Sequence, residues 1–147
     1  MSDREWLELA CDLARSCPPS KTAFSVGAVV VSADGEEISR GYSRENDPQV
    51  HAEESALAKI SPGDPRLAGA TVYSSLEPCS ARASRPRTCT RLILDSGVRR
   101  VVMAWREPLV FVDCHGAEEL AAAGVTVLEI PELADRAREP NAHLLPG

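Results

Sequence analysis

The sequence predicts an α/β protein three layers deep, with helices on both faces of a mixed sheet of about five strands. Three observations carry this. Two extended runs, residues 24–32 and 36–42, flank Asp34-Gly35, which marks an antiparallel hairpin. Beyond it, extended and helical segments alternate, as strands made parallel by helical crossovers do. The 147 residues are 44% hydrophobic and 26% charged, a composition suited to one folded core and unlike that of disordered or fibrous chains. One domain over residues 1–147 is expected.

The elements follow in order. Residues 3–17 carry Trp6, Leu9, Ala10, Leu13, Ala14 and Cys17 at helical spacing. A Ser2/Glu5 capping box opens this helix and Pro18-Pro19 ends it. After the hairpin and a polar loop closing at Pro48, residues 51–60 read as a second helix, stopped by Ser61-Pro62-Gly63. A strand over 70–76 leads through a polar loop to a helix over 88–96, with Gly97 at its left-handed cap. A strand at 98–104, a helix at 117–123 capped by Gly124, and a strand at 125–129 complete the alternation. The tail from Pro131 has room for one short helix before a flexible end.

Composition excludes several roles. No apolar run is long enough to span a bilayer, and the start of the chain, Met-Ser-Asp-Arg-Glu-Trp, lacks the pattern of a signal peptide. The expectation is a cytoplasmic protein with no membrane partner. With 16 basic against 22 acidic residues the net charge is -6, which argues against a nucleic-acid partner. Five cysteines, Cys11, Cys17, Cys79, Cys89 and Cys114, are an odd number without a secretion signal, so metal ligands and small core residues are the better reading.

Chemistry concentrates in three places: His51-Ala52-Glu53 at a helix start, Pro78-Cys79 after a strand, and Cys89 at the next helix start. One imidazole and two thiolates can hold zinc and leave a fourth position to water. Two positions apart on a regular helix, His51 and Glu53 would diverge; they converge only on a site lying off the helix's N-terminal end. A carboxylate there can relay protons to a substrate ring and a leaving amine. A core histidine with two buried thiols, or a purely structural zinc site, is the plainer alternative.

His-x-Glu followed by Pro-Cys and a further cysteine resembles the cytidine deaminase superfamily of zinc-dependent deaminases. The resemblance implies the cytidine-deaminase-like fold, one zinc ion per chain held by His51, Cys79 and Cys89, and Glu53 as the catalytic acid/base. Nine residues separate Cys79 from Cys89, where most members have two. That widened gap after Leu76-Glu77-Pro78-Cys79-Ser80 is similar to the riboflavin-biosynthesis pyrimidine deaminases, which act on a diaminopyrimidine ribosylamino phosphate. Val26-Gly27-Ala28-Val29, Gly41-Tyr42, Gly69-Ala70-Thr71-Val72-Tyr73 and Ala123-Gly124-Val125-Thr126-Val127 extend the likeness over nearly the whole chain.

Departures leave the substrate open. Ala23 stands where that family has a ring-contacting Asn, Phe24 resembles the nucleoside deaminases, and Ser43 replaces a histidine. Glu45 is a candidate sugar contact, with a solvated hairpin-exit residue as the alternative. Ser43, Ala52 and Ser75 are further substrate-binding candidates, and Phe24, Trp105 and Phe111 are the aromatics able to meet a ring. The loop between the cysteines carries Arg82, Arg85 and Arg87, and guanidinium groups suit a phosphate, so Arg85 and Arg87 are candidate phosphate ligands. The expected activity is hydrolytic deamination of a small aminopyrimidine, nucleoside or nucleotide by a homodimer or homotetramer. A cytidine, cytosine or secondary-metabolite nucleoside deaminase is the alternative within the class, and a non-catalytic zinc-fold binding module the alternative outside it.

Overall fold

The strand order β2-β1-β3-β4-β5 sets the molecule's frame. The computed structural model describes residues 1–80, 87–106 and 115–145. The strands are β1 (Gly27–Val31), β2 (Glu37–Tyr42), β3 (Thr71–Ser74), β4 (Arg100–Met103) and β5 (Thr126–Glu129), and the helices α1 (Asp3–Ala14), α2 (Ala52–Ala58), α3 (Cys89–Ser96), α4 (Gly116–Ala122) and α5 (Ala134–Arg138). β1 pairs antiparallel with both β2 and β3, and β3, β4 and β5 run parallel. This is the expected mixed sheet. α1, joined by α5, lies on one face, while α2, α3 and α4 cover the other.

Local chemistry explains the boundaries. Ser2 Oγ accepts from the Glu5 N–H while the Glu5 carboxylate accepts from the Ser2 N–H, so the predicted capping box opens α1. The helix ends at Ala14, short of Cys17. Pro18 disfavours helical backbone at the residue before it, and Arg15, Ser16 and Cys17 turn back to Asp12, Leu13 and Ala14 in a tightened last turn. Gly97 and Gly124 end α3 and α4 in the left-handed region, at φ 88° and 92°. The tail forms α5 between short 3-10 turns.

β1, an interior strand between β2 and β3, is buried along its whole length, as its Gly-Ala-Val-Val-Val sequence requires of a strand covered on both faces. It begins at Gly27 rather than Phe24, because the amides of Ser25 and Val26 are taken by the side chains of Asn141 and Ser43. Gly41 sets the height of α2 over the sheet. A Cβ there would lie 2.7 Å from Ala56 N and 2.8 Å from Ala52 O, so only glycine lets the helix backbone approach this closely. Among the described residues no helix is long and apolar enough to cross a membrane.

Candidate metal centre and active site

The carboxyl ends of β2, β3 and β4 lie at one end of the sheet, beside the amino end of antiparallel β1, where Gly27 faces Tyr42 and Ala28 faces Ser74. In open α/β sheets the strands' carboxyl ends are where ligands bind. His51 is the N-cap of α2, with extended backbone at φ -90° and ψ 161°, and its N–H donates to the Glu54 carboxylate. Its non-helical conformation takes it out of phase with the helix, which resolves the divergence expected of His51 and Glu53. Cys89 is the first residue of α3, whose N-cap Thr88 accepts from the Arg91 N–H.

These elements bring three donors together. His51 Nδ1 lies 3.6 Å from Cys79 Sγ and 3.3 Å from Cys89 Sγ, and all three ligand atoms fall within 4.8 Å of one another. The Cys89 backbone N–H donates to Cys79 Sγ at 3.2 Å, a helix-start amide aimed at a sulfur. The Cys79 thiol is held down to about 4, first by its hydrogen bond with the Cys89 thiol and also by His51. Cys89, fully buried, is pushed well up by the same bond and by burial. A nitrogen and two sulfurs converging in a buried site form a donor set that zinc takes, and three protein ligands leave a fourth position for water.

Glu53 is buried beside them. Its Oε1 lies 2.6 Å from Ser74 Oγ, and its carboxyl also meets the Cys89 thiol. Burial pushes the carboxyl above its usual range, against the opposing pull of the Ser74 and Cys89 hydrogen bonds.

The remaining expectations fall in several places. Phe24 stands edge-on to Trp105, with ring centroids 5.5 Å apart. Ser43 Oγ accepts from the Val26 N–H and Ser75 Oγ from the Gly27 N–H, so both hydroxyls hold the backbone entering β1. Ala52 is buried in the first turn of α2. The Glu45 carboxylate, a candidate for a sugar, takes bonds from Ser55 Oγ and Lys59 Nζ of the α2 region. Arg87 pairs with Asp95 at 2.9 Å along α3, where Arg91 also meets Asp95. Arg82, Arg85, Phe111 and Cys114 lie outside the described residues.

Four residues near the site had no role in the sequence reading. Ser74 meets Glu53. Glu77, buried beside the metal loop, accepts the Ala117 N–H at the start of α4 at 2.8 Å. Arg44 and Asn141 hold the segment before β1. Only the Leu-Glu-Pro-Cys block hinted at Glu77; the others pair with residues too distant in sequence to leave a local pattern.

Comparisons with known proteins agree with this geometry. The Schizosaccharomyces pombe diaminohydroxyphosphoribosylamino-pyrimidine deaminase is 42% identical over 127 residues, covering 85% of this chain and 31% of that protein. The Aquifex aeolicus riboflavin biosynthesis protein RibD is 36% identical over 143 residues, covering 95% of this chain and 37% of its own length. This chain therefore spans about a third of these relatives. A Thermotoga maritima diaminohydroxyphosphoribosylaminopyrimidine deaminase/5-amino-6-(5-phosphoribosylamino)uracil reductase superposes with a TM-score of 0.76 at 29% identity, covering 94% of this chain and 38% of that one. The Aspergillus oryzae Rib2 deaminase in complex with DARIPP shares the fold, with a TM-score of 0.78 at 22% identity, covering 97% and 95% of the two chains. The cytidine and deoxycytidylate deaminase zinc-binding region matches residues 1–105, which include His51, Glu53, Cys79 and Cys89. The chain belongs to that zinc-binding deaminase family.

Proposed function

We propose that the chain is a zinc-dependent hydrolytic deaminase of a small aminopyrimidine, and that its substrate is a riboflavin-pathway diaminopyrimidine ribosylamino phosphate. The observation that carries the chemistry is a buried carboxyl, Glu53, set against a His-Cys-Cys donor cluster. The names of the relatives reported above support the substrate class.

His51, Cys79 and Cys89 are the residues that would hold the zinc. When bound, the metal lowers the pKa of a water so that a nucleophile is available at neutral pH. Deamination replaces a ring C–NH2 by C=O and releases ammonia, so a proton must leave water and protons must reach the ring nitrogen and the departing amine. Glu53 makes those transfers at its carboxylate oxygens. Burial raises its proton affinity, which suits a group that must hold a proton between the two deliveries. Phe24 and Trp105 form an aromatic wall for the ring, and Arg85 and Arg87 are the proposed phosphate ligands. For Arg87 this means exchanging Asp95 for the phosphate. Assembly as a homodimer or homotetramer in the cytoplasm accompanies this reading.

Ammonia release from the diaminopyrimidine ribosylamino phosphate, cytidine, deoxycytidylate and cytosine tests it. Turnover of the first alone is expected, with a higher KM in the Arg85→Ala/Arg87→Ala double variant. Turnover of cytidine or deoxycytidylate instead overturns the substrate; Ala23 in place of the family's Asn, and the likeness of Phe24 to the nucleoside deaminases, give that second reading its basis. Zinc-replete protein that deaminates none of the four overturns the enzyme reading.

A further inference from the structure

We propose that Arg44 and Asn141 are positioning residues that hold the Phe24–Trp105 wall against the metal loop, and so set substrate affinity without touching substrate. This rests on the reading of Phe24 and Trp105 as the wall of the site.

The segment before β1 is held by side chains. Asn141, 1% exposed, pairs its carboxamide with Ser25 at two points: Oδ1 accepts the Ser25 N–H at 2.6 Å, and Nδ2 donates to the Ser25 carbonyl at 2.9 Å. The two residues are 116 positions apart in the chain. Arg44 closes the other side. Its Nη2 donates to Ser25 Oγ at 2.7 Å and to the Pro18 carbonyl at 2.8 Å, its Nε donates to the same carbonyl at 3.0 Å, and its Nη1 donates to the Phe24 carbonyl at 3.2 Å. These acceptors are neutral oxygens of the segment from Pro18 to Ser25, so the guanidinium acts as a multi-point backbone clamp. Arg44 itself sits at φ 59°, the left-handed region that a non-glycine residue rarely adopts. Such strain persists where surrounding contacts over-determine it, and it clusters at functional sites.

The clamped segment leads directly to the site. Phe24 meets the edge of Trp105, and the Arg138 guanidinium lies over the same indole, 5.6 Å from the ring centroid. The Trp105 carbonyl accepts the Glu77 N–H at 2.8 Å, two residues before Cys79. On the other side of Phe24, the Gly27 N–H is bound by Ser75, the neighbour of the Ser74 that meets Glu53. The zinc ligands and Glu53 lie outside the clamped segment, and the Arg44 backbone N–H, which donates to the Val50 carbonyl beside His51 at 2.8 Å, is retained when the side chain is removed, so loosening the clamp frees the wall and leaves the metal ligands and the acid/base in place.

Steady-state kinetics of zinc-loaded Arg44→Gly and Asn141→Ala, beside Phe24→Ala, test the inference. Glycine tolerates the left-handed backbone, so Arg44→Gly deletes the guanidinium without adding strain and keeps the test open if Asn141→Ala fails to fold. Phe24→Ala is expected to raise KM about tenfold or more with little change in kcat, and Arg44→Gly and Asn141→Ala to reproduce that split with full zinc content. If Phe24→Ala leaves KM unchanged, the wall itself is wrong and the inference falls with it. If Phe24→Ala raises KM and both clamp variants do not, the wall stands and the positioning role is overturned. If the wild-type protein turns over no aminopyrimidine, the proposed function has failed, and hydrogen exchange at the Ser25 amide decides the clamp: about tenfold faster exchange in Arg44→Gly supports it, and unchanged exchange overturns it.

Discussion

The Ser74 hydroxyl oxygen lies 2.6 Å from Glu53 Oε1, and it lies equally far from the Leu76 carbonyl oxygen. A hydroxyl has one proton to give. With Glu53 ionised, that proton goes to the carboxylate. With Glu53 protonated, the acid donates to Ser74 Oγ and Ser74 turns its own proton to Leu76. The same heavy-atom geometry therefore serves both protonation states of a buried acid/base, which is what a proton carrier needs.

Ser74→Ala removes that adaptable partner and leaves a buried carboxyl short of a hydrogen bond. A loss of about 1–2 kcal/mol is expected, or roughly tenfold in kcat, with zinc retained. Stopped-assay ammonia release together with metal analysis checks it; an unchanged kcat removes Ser74 from the mechanism.

Glu53→Gln keeps the shape and the bond to Ser74 while abolishing proton transfer. Turnover should fall by about 10²-fold or more in a folded, zinc-replete protein. Substantial residual turnover would move the proton transfers to another group.

Metal removal should unfold as well as inactivate. His51, Cys79 and Cys89 come from the starts of α2 and α3 and from the loop after β3, so one ion held by them would tie three segments together. Because the free energy of binding such an ion is folding free energy, chelation, Cys79→Ser and Cys89→Ser are each expected to lower zinc below one per chain and to depress Tm together. Elemental analysis paired with calorimetry reads both; loss of zinc at constant Tm would show that the fold does not depend on the metal.

At the opposite end of the sheet, Arg100 bonds both oxygens of Asp3, at 2.6 Å and 3.0 Å, and Tyr73 donates to the same carboxylate. Arg100 holds the Asp3 carboxyl below the usual carboxylate range, outweighing partial burial. A carboxyl depressed on folding stabilises the fold above its unfolded value, and that contribution disappears as pH falls through the folded value. The pair is partly solvent-exposed, so Asp3→Asn should cost about 1 kcal/mol near pH 7. The Tm gap to the wild type should close as pH drops below the ordinary aspartate range. A gap that persists in acid would assign the effect to packing.

The elements and the metal donors were legible because their causes are local. The Ser2/Glu5 box, the Asp34-Gly35 turn, and Gly97 and Gly124 each act within a few residues, and hydrophobic periodicity identifies a helix or strand without knowledge of its neighbours. His51, Glu53, Cys79 and Cys89 were recognisable because each is chemically distinctive at the start of an element or beside a strand end. Only the assembled fold decided the rest. α1 stops at Ala14 and β1 starts at Gly27, because proline, Ser43 and Asn141 claim the intervening backbone. Glu45, open in the sequence to a sugar, is held by Ser55 and Lys59 once β2 lies on α2. The partners of Glu53 and Ser25 are distant in sequence and chemically ordinary. Hydrogen bonds of this kind depend on angle and distance between segments, and those are set by sheet register and by the Gly41 contact with α2, not by any pattern along the chain.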